Sequence, residues 1–401
     1  MKLNGKQALF IDVANNYGLD KEEFEARLAF TEKNIDKLEE LVMDADEPIA
    51  FMKSVMALRD AQAGKPSGHM VEFDSTTSGV QIMSALTGCY TGALWTNLID
   101  PSKRYDCYTE AFKAILAGLK SKCDLTRSQA KNALMTYYYG SEVEPQKELG
   151  AGSELLEEFY YMCSKKLKGA YELRNDLIDL WDPEAEEYSF TLPDGFHVVL
   201  RVVVDRVEEI HIDELGHTFL HEWKEIGTKS MGVMLAANVI HAIDAYLVRE
   251  MHRRCNYRAF ELEHRVDLKS RLNDLELAVF FMEEEEMDLS MPMSLRCAVE
   301  TKICNMSYSE VAQAIEAIKL TLAHRSCELV TIHDAFKSLP NHVQTMREHY
   351  REILATLAES DILSHIFSEI TGEEEVYENV RGGLTKTEMA EYIRKSEYCI
   401  C

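Results

Sequence analysis

The sequence predicts an α+β chain, mostly helical, in which helices wrap a small antiparallel sheet. Three observations predict it. Most of the 401 residues fall into stretches with apolar side chains at three-, four- and seven-residue offsets. Short β-branched runs are few, and they are scattered among the helical stretches rather than alternating with them. No internal repeat or low-complexity tract interrupts the pattern. The length is ample for one large or two ordinary domains, and 46% hydrophobic with 28% charged residues is a globular balance.

From the N-terminus, 21–43 reads as an amphipathic helix through Phe24, Leu28, Ile35, Leu38 and Leu41, with Asp20 as its cap. A second helix, about 47–62, carries Phe51, Val55, Met56 and Leu58 and stops at Gly64-Lys65-Pro66-Ser67-Gly68. Val71 to Phe73 is a strand and Gly79 to about Cys89 a helix. Further helices cover about 104–119 and 127–139, and 153–180 is one long helical stretch. Texture changes near 190, where Leu192-Pro193-Asp194-Gly195-Phe196 is a turn signal. The β-branched runs His197 to Val204 and Val207 to Ile212 predict a hairpin. Helix resumes from Met231 to about Arg254. Residues 255–325 are charged and helical, with the acidic run Glu283 to Glu286 and a break at Pro292. Leu329 to Ile332 is a short buried strand turning at His333-Asp334, and 341–401 is mostly helical.

A formal charge of −26 excludes a protein that simply coats nucleic acid, since phosphate binding runs on Lys and Arg. It leaves room for a nucleic-acid enzyme whose cations are local or supplied by another chain. The most apolar stretch, Met231 to Val248, contains His241 and Asp244 and is too polar to span a membrane. Ten cysteines occur without a C-x-x-C pair, as expected of free thiols in a reducing compartment. Cys399 and Cys401 form a lone C-x-C, with a metal or redox role as the alternative to plain thiols.

Three stretches carry chemistry. In Phe73-Asp74-Ser75-Thr76-Thr77-Ser78-Gly79-Val80-Gln81 a carboxylate closes an apolar run just before a helix. Asp74 there can hold a cation, or be a helix cap or turn former. Arg127, Lys131, Met135 and Tyr139 recur every four residues on one drifting helix face that ends at Gly140. That face suits a triphosphate on its cations and a sugar and base on Met135 and Tyr139. It equally describes an amphipathic helix with a basic edge. His333-Asp334-Ala335-Phe336 puts a carboxylate at a hairpin tip, as a functional group or as a structural turn. Asp74 and Asp334, each ending a predicted strand, are the candidate pair for a two-metal phosphoryl-transfer site.

These stretches resemble motifs A, B and C of the single-subunit DNA-directed RNA polymerases of phages and mitochondria: Asp74 to Gln81, Arg127 to Gly140, and His333 to Phe336. Ala14 to Lys21, Leu192 to Phe196 and Asn238 to Asp244 add to the likeness, which covers most of the chain outside 255–325. The resemblance implies a right-hand polymerase palm and fingers around the small sheet. It implies two Mg2+ ions on Asp74 and Asp334, and a triphosphate on Lys131, Arg127 and Lys21. Tyr139 would tell ribose from deoxyribose, Tyr108 would line the nucleotide site, and His333 would support Asp334 and the primer end. Met135 and Gly140 belong to the same nucleotide-binding helix. The hairpin after Phe196 falls where relatives carry a promoter-reading loop, and Leu247 stands where they often carry a polar residue near the product duplex. The related DNA polymerases place a glutamate after the motif A aspartate and Phe-Gly in motif B. Here Ser78-Gly79-Val80-Gln81 and Met135-Thr136 stand instead, which favours ribonucleotides.

Family members carry several hundred residues ahead of the match at Asp20-Lys21. The chain is therefore expected to be the palm-and-fingers subunit of a split enzyme, similar to the larger subunit of a two-chain podovirus RNA polymerase. A second polypeptide would supply the thumb and N-terminal parts, absent here. The expected layout is palm over 1–119, fingers over 120–190, a hairpin region over 191–235, a palm helix over 236–254, a helical insertion over 255–325, and palm with a C-terminal foot over 326–401. Expected partners are DNA template, ribonucleoside triphosphates and RNA product, with a single-stranded-DNA-binding recruiting protein as a further candidate and no membrane. The compartment implied is the cytoplasm of an infected bacterial host. A DNA polymerase of the related family and a catalytically silent architectural subunit are the alternative readings.

Overall fold

The computed structural model describes residues 1–120 and 124–401; Cys123, one of the ten cysteines, and the start of the predicted fingers segment lie outside the described residues. At the centre is a three-stranded antiparallel sheet in the order β1 (Val71–Asp74), β7 (Ala335–Ser338), β6 (Val330–Ile332). Alternation sets its faces: Val71 and Phe73 are buried, while Glu72 and Asp74 point outward. Phe73 packs near Phe24, and Phe336 meets Tyr350 edge-on. Glu72 stands opposite Lys337 in the register and pairs with it.

Immediately after β1 runs the helix Ser78–Thr87, every residue of which is buried. Helices Lys168–Asp179, Met234–Cys255 and Val343–Glu359 pack around it. Gln81 is fully used inside this core. Its amide nitrogen donates to the carbonyls of Thr96 and Cys399, both at 2.9 Å, and its oxygen accepts from the Tyr350 hydroxyl at 2.7 Å. Gly88 closes the helix in the left-handed region at φ 70°, as a C-terminal glycine commonly does.

Several expected elements are corrected. The predicted helix over 21–43 is a helix only over Phe24–Lys33, followed by a turn and a 3-10 segment, Leu38–Asp44. Asp20 is not its cap. The chain instead wraps the buried Arg27 guanidinium, which donates to the carbonyls of Asp20 and Glu22 and to the Asn15 side chain. The stretch 153–180 is two helices, Glu154–Lys166 and Lys168–Asp179, broken at the buried Leu167. The β6 strand is open rather than buried, with Val330 43% and Ile332 51% exposed.

The predicted hairpin is wrong in its pairing. His197–Arg201 (β3) pairs with Glu187–Thr191 (β2) across the Leu192-to-Phe196 turn, and Val203–Ile212 (β4) pairs with His217–Ile226 (β5). β5 is exposed throughout, so no apolar alternation announces it. The β4–β5 ribbon carries Asp205, Glu208, Glu209, Glu222 and Glu225 against Arg206 and Lys224. The turn at Gly195 is anchored by Asp194, whose buried carboxylate accepts from Arg249 at 2.7 and 3.0 Å and from Arg253 at 2.9 Å. Burial opposes ionisation of Asp194, but the two guanidiniums outweigh it and hold its carboxyl below the usual range.

Residues 255–325 are helical as expected and build a separate small core from Phe260, Leu268, Leu275, Leu295, Val311 and Ile318. Glu250, fully buried, joins it to the rest: it accepts from Arg254 Nε at 2.9 Å and from the Leu295 backbone N–H at 2.7 Å. Leu247 is a core residue, 1% exposed, so its side chain cannot face a product. Among the described residues no helix is long and apolar enough to cross a membrane.

Candidate active site

The sheet register assembles the site. Asp74 is paired with Ala335, which places it beside Asp334 in the two-residue turn between β6 and β7. Ser75 locks the two stretches together, its hydroxyl donating to the Asp334 carboxylate at 2.9 Å and its N–H to the Asp334 carbonyl at 3.3 Å. His333 occupies the turn at φ 55°, and Thr77 precedes the buried helix at φ 56°. Both are non-glycine residues held in the left-handed region, a strain that the sheet and helix on either side enforce. The last residues run along the same edge. Cys401 exchanges backbone hydrogen bonds with Asp74 at 3.0 and 3.4 Å, and Ile400 bridges Ser75. Cys401 Sγ accepts from Arg104 Nε at 3.3 Å and Cys399 is buried; both are free thiols. Among the described residues no group of three or more His, Cys, Asp or Glu side chains could hold a metal ion.

In front of the two aspartates opens a cleft of about 900 Å3. Tyr108, Lys131, Met135, Tyr139 and His333 line it together with Asp74 and Asp334. The helix Arg127–Tyr138 begins with a capping box between Thr126 and Gln129, and its four-residue spacing turns Lys131, Met135 and Tyr139 to the cleft. Lys131 Nζ lies 5.5 Å from the Tyr108 ring centre, and among the described residues it makes no ion pair. The Tyr139 ring rests on His241 at 4.4 Å between centres. Gly79 is where the two motif stretches touch: a Cβ there would lie 2.8 Å from the Tyr139 hydroxyl oxygen.

Three expected residues are elsewhere. Arg127 is engaged one turn before the cleft, ion-paired with Asp106 and donating to Thr109 at 2.9 Å. Burial resists ionisation of Asp106, yet Arg127 more than offsets it and lowers its pKa. Lys21 is exposed beside Asp20 at 3.8 Å; Asp20 lines a smaller polar recess that shares Asp74 and Ser75 with the cleft. Gly140 shapes the chain, with φ 89° and no room for a Cβ against the Val233 carbonyl.

Three lining residues carried no role in the sequence reading: His241, Asp244 and Arg249, all on the helix Met234–Cys255. With Ala245 and Val248 they recur at three- and four-residue steps, the spacing of one helix face, which is the signal that was available. Asp244 brings a third carboxylate to the lining of the cleft. Desolvation first, then Asp334, raise its pKa to about 6. Desolvation and Asp334 likewise raise Asp74 to about 6, with Glu72 adding and Lys131 opposing. The Asp74 side chain is open to the cleft, so this shift reflects crowding of acids at the cleft floor as well as burial. The arrangement calls for positive charge. Asp74 and Asp334 offer two carboxylates, a hard oxygen donor set that would suit Mg2+.

Residues 2–148 match the family model for DNA-dependent RNA polymerase, a span that holds the Asp74 and Lys131 stretches. The chain is related to the DNA-dependent RNA polymerases. A probable DNA-directed RNA polymerase of Neurospora crassa is 29% identical over 182 residues, covering 40% of this chain and 20% of its own length. The DNA-directed RNA polymerase of Pseudomonas phage phiKMV is 27% identical over 175 residues, covering 34% of this chain and 21% of its own. A mitochondrial DNA-directed RNA polymerase of Neurospora crassa is 25% identical over 164 residues, 34% of this chain and 12% of its own. The chain thus spans about a fifth or less of these polymerases.

Proposed function

We propose that the chain carries the nucleotidyl-transfer centre of a DNA-templated RNA polymerase and works as one subunit of a two-chain enzyme. The observation that carries this reading is the β1–β7 register, which sets Asp74 against Asp334 at the floor of the cleft lined by Lys131 and Tyr139. Asp74 and Asp334 would hold two Mg2+ ions, which when bound offset the triphosphate charge and favour departure of pyrophosphate. Lys131 meets the triphosphate, and Met135 and Tyr108 pack against the nucleotide. Tyr139, seated on Gly79, contacts the ribose, and His333 stands beside Asp334 at the primer end. Residues 1–119, 236–254 and 326–401 act as the palm and 120–190 as the fingers. Arg127 and Lys21 reach the triphosphate only by leaving their present partners.

The 3′-hydroxyl of the RNA gives up its proton to water as its oxygen bonds to the α-phosphorus, the bond from that phosphorus to the α–β bridging oxygen breaks, and pyrophosphate leaves. A second polypeptide supplies the thumb and the template-gripping cations, which fits a chain with a formal charge of −26. The phage relative fits work in the cytoplasm of an infected bacterium. The test is primer extension on a DNA template by the assembled enzyme carrying Asp334→Asn. Synthesis is expected to fall by several orders of magnitude while the chains still co-purify. Retained synthesis would put the reaction elsewhere, and faster use of deoxynucleotides by the unaltered enzyme would make it a DNA polymerase.

A further inference from the structure

The helix Leu268–Phe280 is apolar on two sides. Leu268 and Leu275 are buried in the small core of the insertion. On the other side Leu277, Phe280 and the next residue, Phe281, are 61%, 80% and 76% exposed. Offsets of three and four place them on one face, and the two rings pack edge to face at 5.3 Å. Exposed aromatic pairs of this kind are uncommon on a surface that only meets water.

Directly after them come Glu283, Glu284, Glu285 and Glu286, all exposed. Glu276 on the same helix is paired with Lys319 at 2.7 Å. By contrast, among the described residues no cation pairs with any of the four glutamates. The run is held in place: Glu285 accepts from the Ser309 N–H at 3.3 Å, and the Asp288 N–H donates to the Ser309 hydroxyl at 2.8 Å. Rings and carboxylates are therefore presented together on an ordered edge.

We propose that this edge is a docking surface for a cationic amphipathic segment of another polypeptide. Its apolar residues cover Leu277, Phe280 and Phe281, and its Lys and Arg side chains meet Glu283 to Glu286. The apolar face supplies affinity, and the acids select the partner's charge and speed encounter. The same acids disfavour the other occupants. A second copy would bring a net charge of −26 against them, and nucleic acid or an anionic lipid surface would be repelled.

The test uses the full chain and, as probe, a labelled helical Leu/Lys amphipathic peptide of about 18 residues, with a Leu/Glu peptide of the same pattern as control. Fluorescence anisotropy should show binding of the Leu/Lys peptide alone. Phe280→Ser with Phe281→Ser should weaken it at least about tenfold, the loss of one good anchor. Leu277→Lys, a single exposed change, should weaken it in the same direction. Glu283 to Glu286 changed to Gln should weaken binding and remove most of its salt dependence. Changing the exposed Glu373 and Glu374 to Gln should leave it unaltered, because the neighbouring ring pair, Phe367 with Tyr377, is packed into the core rather than presented on the surface. Equal losses at both acidic tracts, or no loss on changing the phenylalanines, would overturn the proposal. So would self-association of the chain that the phenylalanine changes abolish, since a second copy would then be the occupant.

Discussion

The Tyr139 hydroxyl fills the space that a Cβ on Gly79 would need, with 2.8 Å between them. Motif A and motif B are thus fitted to each other through a missing methyl group. Gly79→Ala should push the Tyr139 tip toward the cleft. Displacement of about 1 Å at a reacting site can cost on the order of 100-fold, so kcat/KM for ribonucleotides should fall by roughly that factor. Tyr139→Phe removes the nearest atom, leaving the ring carbon at 3.1 Å. In the double variant the two changes should therefore cost less than their sum. Additive losses would mean the contact is not the cause.

The sugar preference is expected to depend on the same hydroxyl. Tyr139→Phe should bring the rates with deoxy- and ribonucleotides closer together while leaving the fold intact, because the ring still rests on His241. The ratio of kcat/KM for the two substrates measures it. An unchanged ratio would assign sugar selection to another residue.

Asp74 and Asp244 predict a pH-dependent response to Mg2+. In the folded chain both carboxyls keep their protons up to about pH 6, whereas an unfolded aspartate releases its proton near about 3.9. The folded state therefore binds more protons between about pH 4 and 6, and metal-free stability should decline as pH rises through that window. Mg2+ on Asp74 and Asp334 needs Asp74 ionised, so its stabilising effect should grow over the same range. A thermal melt should show a larger Mg2+-induced rise in Tm at pH 7.5 than at pH 5. Asp334→Asn removes a charge that raises both pKa values, so it should flatten the metal-free decline. Equal Mg2+ shifts at both pH values would show that Asp74 does not hold the ion.

Glu250 predicts a stability effect remote from the cleft. It is fully buried and accepts from Arg254 and from the Leu295 N–H of the 255–325 segment. Glu250→Ala leaves the buried Arg254 guanidinium without its carboxylate, a change that typically costs about 3–5 kcal/mol. Chemical denaturation should show that loss. Limited proteolysis should show 255–325 cleaved earlier, as the link to Leu295 is gone. A change within about 0.5 kcal/mol would mean that other contacts hold the insertion.

Much of the site was legible because its chemistry is local. Asp74 ends an apolar run, Lys131, Met135 and Tyr139 repeat every four residues, and His333-Asp334 suits a two-residue turn. Arg127 shares the same spacing but is captured by Asp106, an acid 21 residues earlier that no helical period could pair with it. Asp244 and His241 sat in a stretch that added to the likeness and was read as a helix, but neither was given a role, because no local pattern names the cleft that helix faces. The β2–β3 and β4–β5 pairings were missed for a related reason. β5 is exposed along its length, so its strand character comes from its neighbour β4 and not from its own alternation.

The sequence by itself determined most of the helical segments, the strands that end at Asp74 and turn at His333-Asp334, and which side chains bring acid, cation and aromatic groups. Periodicity and turn chemistry are short-range, and they survive without the rest of the chain. Only the tertiary structure decided which of those groups meet. The pairing of Asp74 with Ala335, the third carboxylate from Asp244, and the backbone bonds between Cys401 and Asp74 all join residues far apart in sequence. Such contacts are fixed by burying the core around the helix Ser78–Thr87, a collective property that no local pattern encodes.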